Sequence, residues 1–144
     1  MYTTGFLAPD TDEACRRAFE ELEPGAKEIT RAVAMAMDLD AETYRERVTD
    51  AVVGAAQEAT FGSLLLVYTA DREAFETWLE DAPDDRAVTI EGSDVVENVA
   101  WHDAPVADRV LAATYANERQ AAVATLRRMA WGQIYRERVR TDSP

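Results

Sequence analysis

The stretch SLLLVYT, residues 63–69, decides how this chain folds, because the spacing of apolar residues changes there. Before it, apolar residues recur every three to four positions, which is the period of helices. Within it they run almost without a break, as in a strand that is covered on both faces. We therefore predict that residues 63–69 form a strand inside a sheet.

Further strands are predicted on either side of this one. Residues 2–7 have the pattern of a short strand, and so do residues 87–91 and 96–102. The last two are separated by a segment that contains Gly92 and Ser93, so we expect them to pair as a hairpin.

Helices are predicted for most of the remaining chain. We expect helices between Thr11 and Pro24, between Gly25 and Asp38, over about 41–60, over 71–80 and over about 106–139. In the second of these, four residues at helical spacing are predicted to enter the core: Ile29, Val33, Ala36 and Met37.

This order of elements predicts an α+β fold. We expect a predominantly helical protein with a small, mostly antiparallel sheet packed against helices, ending in a long C-terminal helix. With 144 residues and no linker or repeat, residues 1–144 are expected to form a single domain.

The charge balance is strongly acidic. The chain has 28 Asp and Glu against 15 Lys and Arg, and Lys27 is the only lysine. The acids are spread along residues 10–118, which favours a solvated surface over a binding site for one basic partner. Such a surface is soluble when salt screens it and repels itself when salt is absent. We therefore predict a cytoplasmic protein adapted to high salt.

Several function classes lack their signatures. The six glycines never cluster into a phosphate-binding loop, and no apolar run approaches the length of a membrane span. One cysteine, Cys15, and one histidine cannot form a transition-metal cluster, and paired aspartates carry little information in so acidic a chain. We expect no metal, no cofactor, no membrane association and, by preference, no enzymatic activity.

His102 is the weak candidate for a catalytic residue. It lies at the predicted end of a strand, and histidine titrates near neutral pH, so it could act as a general base in a small hydrolase or transferase. The alternative is a structural histidine that hydrogen-bonds a neighbouring group. No serine lies close to it in sequence, so no nucleophile is assigned.

Residues 30–50 match the spacing of a helix-turn-helix and resemble the DNA-binding segment of bacterial repressors. Leu39 takes the buried turn position, Asp38 stands where those families have a left-handed glycine, and Tyr44 and Val48 point inward. The residues that would contact DNA are Thr43, Arg45 and Arg47. Glu42, Glu46 and Asp50 oppose phosphate contact, so nucleic acid is not the expected partner.

The C-terminal segment is the one basic region, with five arginines and two acids over residues 127–144. On a regular helical wheel, Arg127, Trp131 and Arg138 lie beside the core face, with Tyr135 further round. Arginines next to aromatic side chains are enriched at interfaces. We predict that these four residues form a self-association surface. Pairing with acids of the same chain and binding of an anionic ligand are the alternatives.

Three motifs resemble a protein family of halophilic archaea to which no activity is assigned. They are Thr3-x-Gly5-x-Leu7-x-Pro9, Trp101-His102-Asp103-Ala104-Pro105-x-Ala107-Asp108 and Thr125-Leu126-Arg127-Arg128-x-Ala130-x-Gly132-x-Ile134-Tyr135-Arg136. The resemblance implies salt adaptation and a cytosolic location, and it implies no functional residue. The leading hypothesis is a non-enzymatic protein that acts by protein–protein contact as a homodimer.

Overall fold

Five strands form one mixed sheet, which a computed structural model describes together with its helices over residues 1–38, 40–47 and 49–140. The strands are β1 (Tyr2–Thr4), β2 (Val67–Asp71), β3 (Ala87–Glu91), β4 (Asn98–Ala104) and β5 (Arg109–Tyr115). The helices are α1 (Asp12–Glu21), α2 (Glu23–Ala36), α3 (Ala41–Arg47), α4 (Asp50–Ser63), α5 (Arg72–Asp81), α6 (Arg119–Ala130) and α7 (Arg136–Val139), with a π turn at Trp131–Tyr135. Helices make up 57% of the structure, so the predicted α+β, predominantly helical class is confirmed.

The sheet has the order β1-β2-β4-β5-β3 and is mostly antiparallel, as predicted. β2 pairs with β4 and β4 with β5 in antiparallel fashion, whereas β3 joins the far side of β5 in parallel. The predicted hairpin between residues 87–91 and 96–102 is therefore wrong. Both segments contain strands, but β5 lies between them.

Local contacts explain why β3 pairs with β5. Ala87 N–H donates to the Asp108 carbonyl at 2.8 Å, and Arg86 contacts the carboxylates of Asp103 and Asp108 at 2.7 and 3.1 Å. At the other end, Gly92 has a φ of +119°, and a side chain there would collide with Thr114 of β5. These contacts hold both ends of β3 beside β5.

Residues 109–115 form a strand where the sequence predicted the start of the C-terminal helix. A short 3₁₀ turn over Pro105–Ala107 and a left-handed Asp108, with φ of 52°, reverse the chain after β4. Four residues of β5, from 110 to 113, are buried, because helices cover both sides of the sheet. A strand covered on both faces shows no alternation and resembles a helix in sequence. The long C-terminal helical segment is confirmed only from Arg119.

The predicted long helix over 41–60 is two helices. Thr49 has extended backbone angles, and its hydroxyl accepts a hydrogen bond from Val52 N–H at 3.3 Å, so it starts a new helix as an N-cap. This helix, α4, extends to Ser63, and the strand predicted at 63–69 begins only at Val67. Leu64 to Leu66 instead contact the N-terminal segment through backbone hydrogen bonds to Phe6 and Leu7.

The core lies on both sides of the sheet. On one side α1, α4 and α6 pack around large buried side chains such as Phe61, Leu111 and Leu126. On the other side α5 covers Trp101 and Val99 through Phe75. In the described ranges, no helix has the length and apolarity to cross a membrane.

Helix α2 departs from its prediction. The side it turns toward α4 is a narrow line of small residues, Ala26, Thr30 and Ala34. Ile29, Val33 and Met37, which were predicted to enter the core, are about half exposed. Among the residues that the structure describes, little therefore covers the neighbouring apolar line.

Candidate functional site

An apolar groove runs between α2 and α4. It has a volume of about 290 Å³, and its lining is almost entirely aliphatic. Val33 and Met37 retain 53% and 56% of their accessible surface there, and Val52 of α4 retains 42%. Of the described residues in its lining, Arg47 alone is charged. Clustered exposure of this kind marks a contact surface more often than scattered single residues do.

The turn between α2 and α3 has part of the predicted helix-turn-helix geometry. Asp38 adopts a left-handed conformation with φ of 58°, in the position where glycine is usual. Asp40 caps α3 by accepting a hydrogen bond from Thr43 N–H at 2.8 Å, and this bond lowers the pKa of its carboxyl. Leu39 and Val48, which were predicted to point inward, lie outside the described residues.

The proposed recognition helix is shorter than predicted. α3 has seven residues, none of which is buried, and Arg45 and Arg47 are exposed. Arg45 Nε donates to the Ala41 carbonyl at 3.2 Å. Two glutamates balance the two arginines, so α3 has no net positive charge for phosphate contacts. DNA binding through Thr43, Arg45 and Arg47 stays a prediction, without a contact that favours it.

The π turn changes the predicted positions of the C-terminal aromatic residues. The N–H of Arg136 reaches back five residues to the Trp131 carbonyl, so one extra residue fits into this turn. As a result Tyr135 is fully buried instead of lying beside Trp131 on the surface, as a regular wheel placed it. Trp131 is partly exposed and packs on Phe19 and Phe61, with ring centroids 6.1 and 5.5 Å away.

Arg127 and Arg138 make contacts within the chain. Arg127 donates from Nε and Nη2 to the Leu65 carbonyl at 3.1 and 2.8 Å. Its Nη2 and the Leu65 carbonyl also lie where a side chain at Gly5 would stand, so only glycine fits at that position. Arg138 donates to the Ile134 carbonyl at 2.6 Å and lies 3.3 Å from the Asp12 carboxylate. The four residues predicted to form a self-association surface therefore do not share one exposed face.

His102 lies inside the core with both ring nitrogens hydrogen-bonded. Nδ1 is 2.6 Å from the Leu66 carbonyl, and Nε2 is 2.5 Å from the Tyr135 hydroxyl. A carbonyl only accepts, so Nδ1 carries the proton and Nε2 accepts from Tyr135. Burial lowers the pKa of His102 and raises that of Tyr135, which keeps both neutral. This geometry matches a structural histidine, with no nitrogen left for a substrate.

Cys15 and the acidic side chains are the other groups that could take part in catalysis or hold a metal. Cys15 is buried in α1, and burial raises the pKa of its thiol to about 11, so the nucleophilic thiolate is disfavoured. Within residues 1–38, 40–47 and 49–140, no three His, Cys, Asp or Glu side chains come together as metal ligands.

A second cavity lies between α4 and α6, with a volume of about 540 Å³. Small residues of the two helices form its walls, and Arg127, Arg128, Trp131 and Arg136 contribute the large side chains. Two of these residues, Arg127 and Trp131, were predicted from the sequence. Arg136 was not, because only the π turn brings that residue one turn from Trp131.

Of three comparisons with known proteins, the comparison with family models found a match. No curated protein matches the chain, and no solved structure matches it. A family model described as "Family of unknown function (DUF5809)" matches residues 6–136. This match covers strands β2 to β5, the groove between α2 and α4 and the arginine-lined cavity. The chain therefore belongs to the family of unknown function DUF5809.

Proposed function

We propose that this protein is a salt-adapted, cytosolic, non-enzymatic protein that acts by protein–protein contact as a homodimer, with the α2–α4 groove as its interface. The acidic composition and the family resemblance support the first part. The observation that carries the second is the exposed aliphatic line Ile29, Val33 and Met37 beside Val52. Fully burying an exposed aliphatic side chain stabilises by roughly 1.5–3 kcal/mol, and these side chains, already about half buried, would contribute about half of that each when covered.

The shape of this face favours a second copy as the partner. Ile29, Val33 and Met37, spaced four residues apart along α2, form a ridge at one edge of this face. The same ridge is one wall of the groove between α2 and α4. A two-fold axis would place the ridge of each copy in the groove of the other, which gives a four-helix arrangement with closed symmetry.

Charge also favours a contact at α2. The chain carries a net charge of −13, so most of its surface repels a second copy. In α2, Glu23 and Glu28 are matched by Lys27 and Arg31, so the helix has no net charge. Met35 and Met37 add flexible side chains, which adapt easily at contact surfaces.

The test is the oligomeric state of matched variants in 2 M KCl. We expect light scattering to give twice the chain mass for the native protein, and the single mass for Val33→Glu. Val95→Glu is the matched control, because Val95 is 88% exposed on the loop before β4, outside the groove. We expect it to remain a dimer.

Two results would contradict this interface. A native protein that stays monomeric as its concentration rises would remove the homodimer. A dimer that survives Val33→Glu but dissociates in Arg128→Glu would move the contact to the C-terminal helical segment, as the sequence predicted.

A further inference from the structure

The lining of the cavity between α4 and α6 is positively charged, whereas the protein as a whole is acidic. Its lining contains three guanidinium groups, from Arg127, Arg128 and Arg136, and one carboxylate, from Glu58. The chain as a whole has nearly two acids for each base. An anion approaching this protein therefore meets a locally positive site within a negative surface.

The three arginines are available to different degrees. Arg127 is half-buried and held in place by the Leu65 carbonyl, and its burial lowers its pKa, since no carboxylate in the described ranges compensates its charge. Arg128 is exposed and makes one hydrogen bond, to Thr125 at 3.2 Å. In the same ranges Arg136 forms neither an ion pair nor a side-chain hydrogen bond, so its whole donor fork is free.

The rest of the cavity is suited to an apolar group. Ala55, Ala59, Gly62 and Ala124 leave a smooth slot between the two helices. Trp131 lines the same slot and is held by its contacts with Phe19 and Phe61, so its indole is fixed before any ligand arrives. A volume of about 540 Å³ is in the range of small-molecule sites, which are mostly apolar with a few placed polar groups.

We infer that this cavity binds a small organic anion with a flat apolar body, an aryl phosphate or aryl carboxylate. The apolar body lies in the alanine-lined slot beside Trp131. The anionic group accepts hydrogen bonds from Arg128 and Arg136, whose planar forks match phosphate and carboxylate oxygens. Arg127 adds positive charge from the inner wall and holds the N-terminal segment in place through Leu65.

Binding of 1-naphthyl phosphate, followed by calorimetry in 2 M KCl, tests this site. We expect saturable binding with one ligand per chain, at least tenfold tighter than inorganic phosphate and than uncharged 1-naphthol. The double variant Arg128→Gln/Arg136→Gln should weaken binding at least tenfold. Glu58→Gln removes the carboxylate in the described lining and should change binding by less than about twofold, because this much salt screens a partly exposed charge.

Two matched variants separate this site from the proposed dimer interface. Arg45→Gln removes an exposed arginine of α3 outside the cavity, and Val33→Glu alters the α2–α4 groove; both should bind 1-naphthyl phosphate as the native protein does. Absence of saturable binding by the native protein would overturn the inference. So would equal weakening by Arg45→Gln and the double variant, or loss of binding in Val33→Glu.

Discussion

His102 and Tyr135 satisfy each other's polar atoms inside an apolar core. The imidazole is neutral there because burial lowers its pKa, while the unfolded chain has the ordinary value near 6.5. Above pH 6.5 the imidazole is neutral in both the folded protein and the unfolded chain, so the free energy of unfolding has its full value. As pH falls below 6.5, the unfolded chain takes up a proton that the folded protein does not, and stability is lost.

The pH dependence of unfolding should therefore carry a contribution from His102. Between pH 8 and pH 5.5 we expect it to cost up to about 1.4 kcal/mol of the free energy of unfolding, measured by urea titration in 2 M KCl. His102→Gln should be less stable at pH 8 and should lack this part of the pH dependence. Identical pH profiles for the two proteins would show that the folded protein also binds the proton.

Strand β3 depends on Arg86 for its place at the edge of the sheet. Arg86 is nearly buried and bridges Asp103 at the end of β4 to Asp108 just before β5. Losing hydrogen bonds to a charged group costs about 1.5–3 kcal/mol. In Arg86→Met we expect the backbone amides of β3 to exchange with solvent roughly thirtyfold faster, with smaller changes in β4, as measured by hydrogen exchange in 2 M KCl.

Arg17→Met is the control for this effect. Its pair with Glu13 is exposed, at 64% and 75% of side-chain surface, so its loss should change stability by less than about 1 kcal/mol. If β3 keeps its protection in Arg86→Met, the parallel pairing is set by the strand residues alone. If every strand loses protection equally, Arg86 stabilises the whole sheet and not its edge.

The same elements show how much of the fold could be predicted. Residues 87–91 and most of β4 were identified from apolar patterning, and so were α1, α2 and α5. The pairing partner of β3 could not be predicted from the sequence. It depends on contacts of residue 86 with residues 103 and 108, which are distant from it in sequence. β5 was missed because a fully covered strand containing Ala112 and Ala113 has no alternation.

The candidate sites were predictable to a smaller extent. Arg127 and Trp131 were found by composition, but the wheel that placed Tyr135 beside them assumed regular α-helix, and a π turn follows Trp131. The apolar line of α2 was visible in the sequence. The exposure of this line could not be predicted, because tertiary packing decides whether a second helix covers it.

At the scale of the whole molecule, unpaired carboxylates dominate. Of the 27 Asp and Glu side chains in the described ranges, six lie within ion-pair distance of a base. The remainder repel one another over a Debye length of about 10 Å at 0.1 M salt, which falls to about 3 Å at 1 M. Folding brings these charges closer together than they are in the unfolded chain, so dilute buffer should weaken the folded state.

We therefore expect the midpoint of thermal unfolding to rise by at least about 4–8 °C between 50 mM and 2 M KCl, which corresponds to roughly 1–2 kcal/mol for a domain of this size. Sucrose at equal osmolality controls for solute exclusion and should raise it less. A variant with Glu76→Gln, Glu80→Gln and Asp94→Asn removes three exposed charges and should be more stable in 50 mM KCl, with a smaller gain from salt. Equal midpoints at the two salt concentrations would contradict screening as the source of stability. If salt raises the midpoint of the triple variant as much as that of the native protein, the stabilisation by salt comes from hydration and not from screened carboxylate repulsion.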